Sequence, residues 1–213
     1  MYVAQAWREE RISVLAEAVL QIQFCALVTQ SDDGLDATHI PMLLHKNADG
    51  SFSLNGHVAR ANDLWRRALD RPRALAIFQG PQAYIHPGWF PTKQKHGKAV
   101  PTWNYIAVHL HGDLEVIEDE GWTLQHLEEL SARNENGRAE PWAVSDAPPD
   151  YIAAKIKGIV GVRIAVRRFE GNWKMMQPQP MENRFGAIEG LAASSAPSDH
   201  EVAAVMRGLT GAE

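Results

Sequence analysis

LDATHIPMLLHKNADGSFSLNGHVARAN, residues 35–62, decides the fold. Segments 35–45 and 51–58 flank 47–50, where Asp49-Gly50 suits the tight turn of a β-hairpin, since both residues tolerate positive φ. Phe52 and Leu54 alternate with Ser51, Ser53 and Asn55, which predicts one apolar face and one wet face. Pro41 has no N–H to give a ladder, so its strand belongs at a sheet edge or a bulge.

Upstream, the continuously apolar segment 24–29 reads as another strand, joined to the hairpin by a turn at 31–34. Before it, 9–22 reads as an amphipathic helix, with Ile12, Leu15, Ala16 and Val19 on one face. Downstream, 60–69 is expected to be a short helix ended by Pro72. Segments 74–78 and 83–85 read as strands broken at Gly80-Pro81, and 86–100, with three lysines and two prolines, as a long loop. A long strand (102–117), a helix (121–132) with Leu124, Leu127 and Leu130 on one side, an irregular stretch (134–149), a short helix (151–157) and a strand (160–169) follow. In the tail, 181–191 is a helix weakened by Gly186 and Gly190. Ser198 to Glu201 fits a capping box ahead of Val202, Val205, Met206 and Leu209. Short links between strands exclude a doubly wound parallel sheet. The expected class is mainly β with α (α+β), a small antiparallel barrel with helices outside it. Residues 1–171 would form the barrel domain and 172–213 a helical extension packed on it.

With 213 residues, 45% of them hydrophobic and 22% charged, the chain has the composition of a soluble globular protein. No apolar run approaches the roughly 20 residues that span a bilayer. Residues 1–11 show no secretory pattern. The one cysteine, Cys25, excludes an internal disulfide and reads as a small buried hydrophobe in a cytoplasmic protein. A net charge of −5 argues against a protein that grips DNA through its phosphates. The basic cluster Arg66, Arg67, Arg71 and Arg73 is diluted by Asp63 and Asp70 and reads as a solvated helix face.

Four constellations could carry chemistry. In Gly56 to Asn62, a strand meets a helix start, where N–H groups and Arg60 could receive a phosphate; a capped helix with a surface arginine is the plain alternative. Thr38 and His39, beside Pro41, could face a ligand or merely sit on an edge strand. Tyr84 to Tyr105 sets aromatic rings beside prolines, either as stiff walls for a flat ring with Lys93 near its phosphate, or as structural plugs. His109 and His111 share a strand face, but zinc needs more ligands than two, and no CxxC or HExxH is present, so no metal is expected. No GxGxxG, P-loop or GxSxG occurs, and no residue is assigned a catalytic role.

Taken in order, ATHIPMLL (37–44), GHVARAN (56–62), FQGPQAYIHPGWF (78–90), VPTWNYIAVHLHG (100–112), IVG (159–161) and EGNWKMMQ (170–177) resemble the PaiB-like family of FMN-binding negative transcriptional regulators. The resemblance spans nearly the whole chain. It implies an antiparallel split β-barrel of the FMN-binding type with peripheral helices, working as a homodimer with FMN at the subunit interface. It places Arg60 at the flavin phosphate with His57 and Asn62 nearby, and Thr38 and His39 along the ring. Lys93, Thr102, Trp103 and Asn104 would complete the pocket. It also implies a repressor acting on DNA or on a regulatory protein; the alternative on the same scaffold is a flavin- or haem-dependent oxidoreductase. The C-terminal motif departs from the family's usual GKWKLSQN: Asn172 replaces a lysine, Met176 a serine and Pro178 an asparagine.

Overall fold

The structure, a computed structural model, describes residues 1–32 and 34–211; Asp33, in the expected 31–34 turn, lies outside the described residues. After β1 (Arg8–Glu9) and α1 (Ile12–Ile22) come β2 (Phe24–Ser31), β3 (Gly34–Pro41), β4 (Leu43–Lys46) and β5 (Phe52–Ala59). Then follow α2 (Leu64–Asp70), β6 (Arg73–Ile85), α3 (Pro91–His96), β7 (Thr102–Ile117), α4 (Glu120–Glu135), α5 (Pro149–Ile156), β8 (Ile159–Lys174), α6 (Met181–Ala192) and α7 (Pro197–Thr210). The sheet runs β3-β2-β6-β7-β8-β5-β4, with β1 paired to β8. Every ladder with a recorded register is antiparallel.

The chain divides into two compact units, one formed by Val19–Phe78 and His109–Phe169, the other by Met1–Ala18, Gln79–Val108 and Glu170–Glu213. In the first, the 35–62 hairpin forms as its sequence predicts. The Asn47 N–H donates to Ser51 O and the Gly50 N–H to Asn47 O, while Gly50 takes φ +84°. Met42 interrupts the expected 35–45 strand, giving β3 and β4. Pro41 ends β3, which lies at the sheet edge. The expected wet face of β5 is partly closed, because Ser53 is buried. Cross-strand pairs Leu54↔Ile164 and Val58↔Val160 bury aliphatic side chains on the other face. Cys25 is buried, and desolvation pushes its thiol up to about 12, as an inert core residue requires.

Several sequence expectations give way here and in the tail. β6 runs unbroken through Gly80-Pro81. The 86–100 loop contains a 3₁₀ turn (Pro87–Trp89) and α3. In α4 the leucines are half-buried, and the fully buried side chains are Thr123 and His126. α7 starts at Pro197, capped by Ala196 without a side-chain bond, so the Ser198 capping box is not formed.

The second unit has its own apolar core, built on Ile85, Phe90, Met175, Ile188, Leu191 and Met206 among others, with Trp89 packed against it. The two glycines that weaken α6 in the sequence have a packing reason. A Cβ at Gly190 would collide with the Trp89 ring, and one at Gly186 with the Trp89 carbonyl oxygen. Thr92 and Asn183 add a buried polar link, Asn183 Nδ2 donating to Thr92 Oγ1 at 2.9 Å. In an exposed helix, Gly→Ala would stabilise by about 1 kcal/mol. Here overpacking wins: Gly190→Ala is expected to cost about 1–3 kcal/mol in urea denaturation, and Trp89→Leu should recover part of that loss in the double variant. A stabilised Gly190→Ala would show that the ring does not occupy this groove.

Candidate functional site

The end of β5 is where the first unit gathers its sequence-expected residues. The Arg60 N–H donates to Gly158 O at 2.9 Å, and the Asn62 N–H to Ala59 O at 2.8 Å, so this turn is internally bonded. Asn62 then works in two directions. Its Oδ1 accepts the Leu64 N–H at 2.9 Å, and its Nδ2 donates to Thr38 Oγ1 at 3.2 Å. Thr38 and Asn62 are thereby brought together from 24 residues apart. His39 is not in that contact: neighbouring strand residues face opposite sides, and its ring lies 6.3 Å from that of Phe24, stacked at 27°.

Arg60 is 40% exposed and already engaged. Its Nε donates to Lys157 O at 3.0 Å and its Nη2 to Ile159 O at 3.2 Å, while Glu118 Oε2 stands 3.5 Å from Nη1. Trp65 lies under the guanidinium, 5.7 Å from the ring centroid, and its indole N–H donates to Arg60 O at 3.0 Å. With two of its five N–H groups on main-chain carbonyls, the fork keeps donors for a further acceptor, in competition with Glu118. The anticipated helix-end contribution is small. α2 has only seven residues, and Asp63 at its N-cap makes no capping bond and brings negative charge.

His57 is drawn elsewhere. Its Nδ1 lies 3.2 Å from Nε2 of His126, a residue of α4 that no sequence motif singles out. Trp122 stacks on the His126 ring at 5.4 Å and 11°. Desolvation, then the neighbouring His57 and His45, lowers the His126 pKa to about 4; desolvation lowers that of His57 too. Beside them a cleft of about 700 Å³ is lined by His45, Asn55, Trp122, His126, Glu129 and Arg163, among others. Helical spacing could have flagged Trp122 and His126, four residues apart, but the leucines gave the louder apolar signal.

Lys93, Thr102, Trp103 and Asn104 belong to the second unit. Lys93 is exposed on α3. Trp103 is exposed, donating to Gln82 Oε1 at 3.1 Å and meeting Tyr84 edge-on at 6.1 Å. Thr102 is half-buried, while Asn104 is 0% exposed, its Nδ2 directed at Met206 Sδ at 3.3 Å. Asn172, at the family's lysine position, is also buried and donates to the Tyr105 hydroxyl at 2.9 Å. Met176 adopts φ +62° and is buried, so this altered motif builds core. The expected basic cluster is largely paired: Arg66 with Asp63, Arg67 with Asp36, and Arg71 with Asp32.

This arrangement is an antiparallel split β-barrel of the FMN-binding type. The chain belongs to the PaiB-like FMN-binding family, whose profile, described as "Putative FMN-binding domain", matches residues 1–168. It is 28% identical over 206 residues to protease synthase and sporulation protein PAI 2 of Bacillus subtilis (strain 168), covering 97% of this chain and 96% of that one. An uncharacterised protein of Emericella nidulans is 30% identical over 242 residues, covering 97% of this chain and 96% of its own. The solved FAD and heme binding protein from Mycobacterium smegmatis shares the fold, with TM-score 0.58 at 15% identity over 84% of this chain and 79% of that one. FMN is the cofactor that family membership implies, and the donors around Arg60 and Thr38 suit a phosphate chemically. Among the described residues, no helix is long and apolar enough to cross a membrane.

The Asn62–Thr38 bond holds the turn after β5 to the edge strand. Asn62→Ala and Thr38→Val are each expected to lose about 0.5–2 kcal/mol of stability. Their double-mutant cycle should give a coupling of about 0.5–1.5 kcal/mol, read from urea midpoints. Additive losses would mean the two side chains do not interact.

Proposed function

We propose that this protein is an FMN-binding regulator, a cytoplasmic homodimer that carries flavin at its subunit interface and signals flavin occupancy or redox state to a partner. The family match over residues 1–168 carries this reading. Arg60 would hold the FMN phosphate, with Asn62 and Thr38 fixing the turn that presents it. His39, exposed beside Phe24, would border the ring from the edge strand. Lys93, Thr102, Trp103 and Asn104 are further proposed cofactor-binding residues. Bound FMN supplies electron chemistry that side chains lack; the protein positions it and excludes competing reactions.

The partner is better sought among proteins than on DNA. The net charge is −5, and the arginines of the α2 region already face carboxylates. A duplex would have to displace those carboxylates to reach the guanidinium groups.

Titration of flavin fluorescence tests the phosphate role. Arg60→Ala should weaken FMN binding about 10–100-fold, the scale of one lost charge-assisted fork. Arg60→Lys should fall between, since it keeps charge without the fork. Two main-chain carbonyls lose their donor in the alanine variant, so a stability loss of about 1–3 kcal/mol should accompany it. Unchanged FMN affinity in a folded Arg60→Ala protein would remove the site assignment. Bleaching of bound flavin by added nicotinamide cofactor would favour the oxidoreductase alternative.

A further inference from the structure

We propose that the contact between His57 on β5 and His126 on α4 is a proton-sensitive latch, which holds α4 to the sheet at neutral pH and releases it in mild acid. It is independent of the flavin reading. The rings meet through His57 Nδ1 and His126 Nε2 at 3.2 Å, with centroids 5.4 Å apart and planes at 68°. A bond between two imidazoles needs one N–H and one lone pair, so it forms with both rings neutral. His126 is 2% exposed, and its other nitrogen, Nδ1, has no hydrogen-bond partner. Charging this ring protonates both its nitrogens, one of them without an acceptor, at a place away from water.

The surroundings offer that charge no counter-ion. Among the described residues, no carboxylate pairs with either ring. On β4, His45 is a further imidazole, and Glu129 of α4 is turned to it at 3.5 Å. On β8, Arg163 lies over the Trp122 face at 5.6 Å, bonded to Asn55 of β5 and facing Glu115 of β7. Asp119 is engaged at the N-cap of α4. The 144–146 turn and α5, which also pack on α4, bring Asp146, held by the Ala143 N–H, with Asp150, and Lys155 over the Tyr151 ring. Desolvation, then His57 and His45, accordingly lower the His126 pKa from its ordinary 6.5 to about 4, and desolvation lowers that of His57.

The helix has few other anchors. Thr123 and His126 are its fully buried side chains, and its leucines are only half-buried. An element with little buried apolar surface opens at low free energy, apart from the rest of its domain. Once α4 lifts, both imidazoles reach water and take up protons near the ordinary value, so acid favours the open form. Latching is therefore full above pH about 6.5 and weakens as the pH falls toward about 4, by up to about tenfold per pH unit for His126 alone. Release uncovers Trp122 and His126 and opens the 700 Å³ cleft whose wall they help to form. A merely structural histidine pair predicts instead that the whole unit loses stability together in acid.

The test is hydrogen exchange of the full-length protein, followed by mass spectrometry at pH 7 and pH 5 and corrected for the intrinsic pH dependence of exchange. Residues 120–130 should lose protection at least about tenfold at pH 5, while the β5–β8 ladder keeps its own. His126→Phe leaves a ring for Trp122 to stack on and removes the titrating group, so most of that pH dependence should vanish. Where this variant does not fold, His57→Gln, at a half-buried position, should reduce the change instead. His200→Gln, on α7 of the second unit, should leave the change as it is in the unaltered protein. Equal protection of α4 at both pH values, a loss shared by the whole first unit, or a loss that persists undiminished in His126→Phe or His57→Gln would each overturn the proposal.

Discussion

A missing side chain at position 161 sets the arrangement of the first unit. The β5–β8 register places Gly161 opposite His57. A Cβ there would collide with the Trp122 ring. Without it, the indole lies against β8, carries Arg163 over its face at 5.6 Å and offers its stack to His126. The start of α4 is fixed as well: Asp119 Oδ1 accepts the Trp122 N–H at 2.6 Å, so the cap and the ring are positioned by one residue. From that point the helix has little choice of face. Thr123 and His126 go inward, His126 reaches His57, and the next turn brings Glu129 to His45. A strand glycine thus decides which helix residues are chemically available.

Local signals were legible in the sequence wherever one turn or one alternation sufficed. Asp49-Gly50 fixed the hairpin, the alternation in 51–55 marked β5, and Pro41 put its strand at an edge. The misreadings between residues 79 and 100 share a cause: Gly and Pro were read as breaks where the structure uses them as fits. β2 pairs with β6 only over Ala74–Ile77, so Pro81 stands beyond that ladder and its missing N–H breaks no bond to β2. Pro87 and Pro91 open a 3₁₀ turn and a helix, where a fixed φ helps and the absent N–H is unneeded. Gly186 and Gly190, discounted as helix formers, make room for Trp89.

The candidate site was legible by residue type but not by partner. Arg60 suits an anion on chemistry alone, and nothing near it in sequence announces Lys157, Ile159 or Glu118. Asn62 bonds the Leu64 N–H close to it in sequence, but its second bond, to Thr38, depends on how β3 returns beside β2. His57 read as a neighbour of Arg60, whereas strand alternation turns it toward α4. Asn104 lay in a segment rich in exposed aromatics, and its burial follows from the same two-residue period that exposes Trp103.

Arg60 also links ligand chemistry to the frame. Its guanidinium bonds the carbonyls of Lys157 and Ile159, the residues that lead into β8, while its own N–H bonds Gly158 O. Any anion that draws the guanidinium outward must weaken those bonds or pull the start of β8 with it. Glu118, at 3.5 Å, is the carboxylate such an anion would replace, and it sits just past the end of β7. An acceptor at this point therefore acts on three strand ends together. Occupancy can be felt by the sheet without a separate lever, because the residue that would receive the charge is the one that joins the strands.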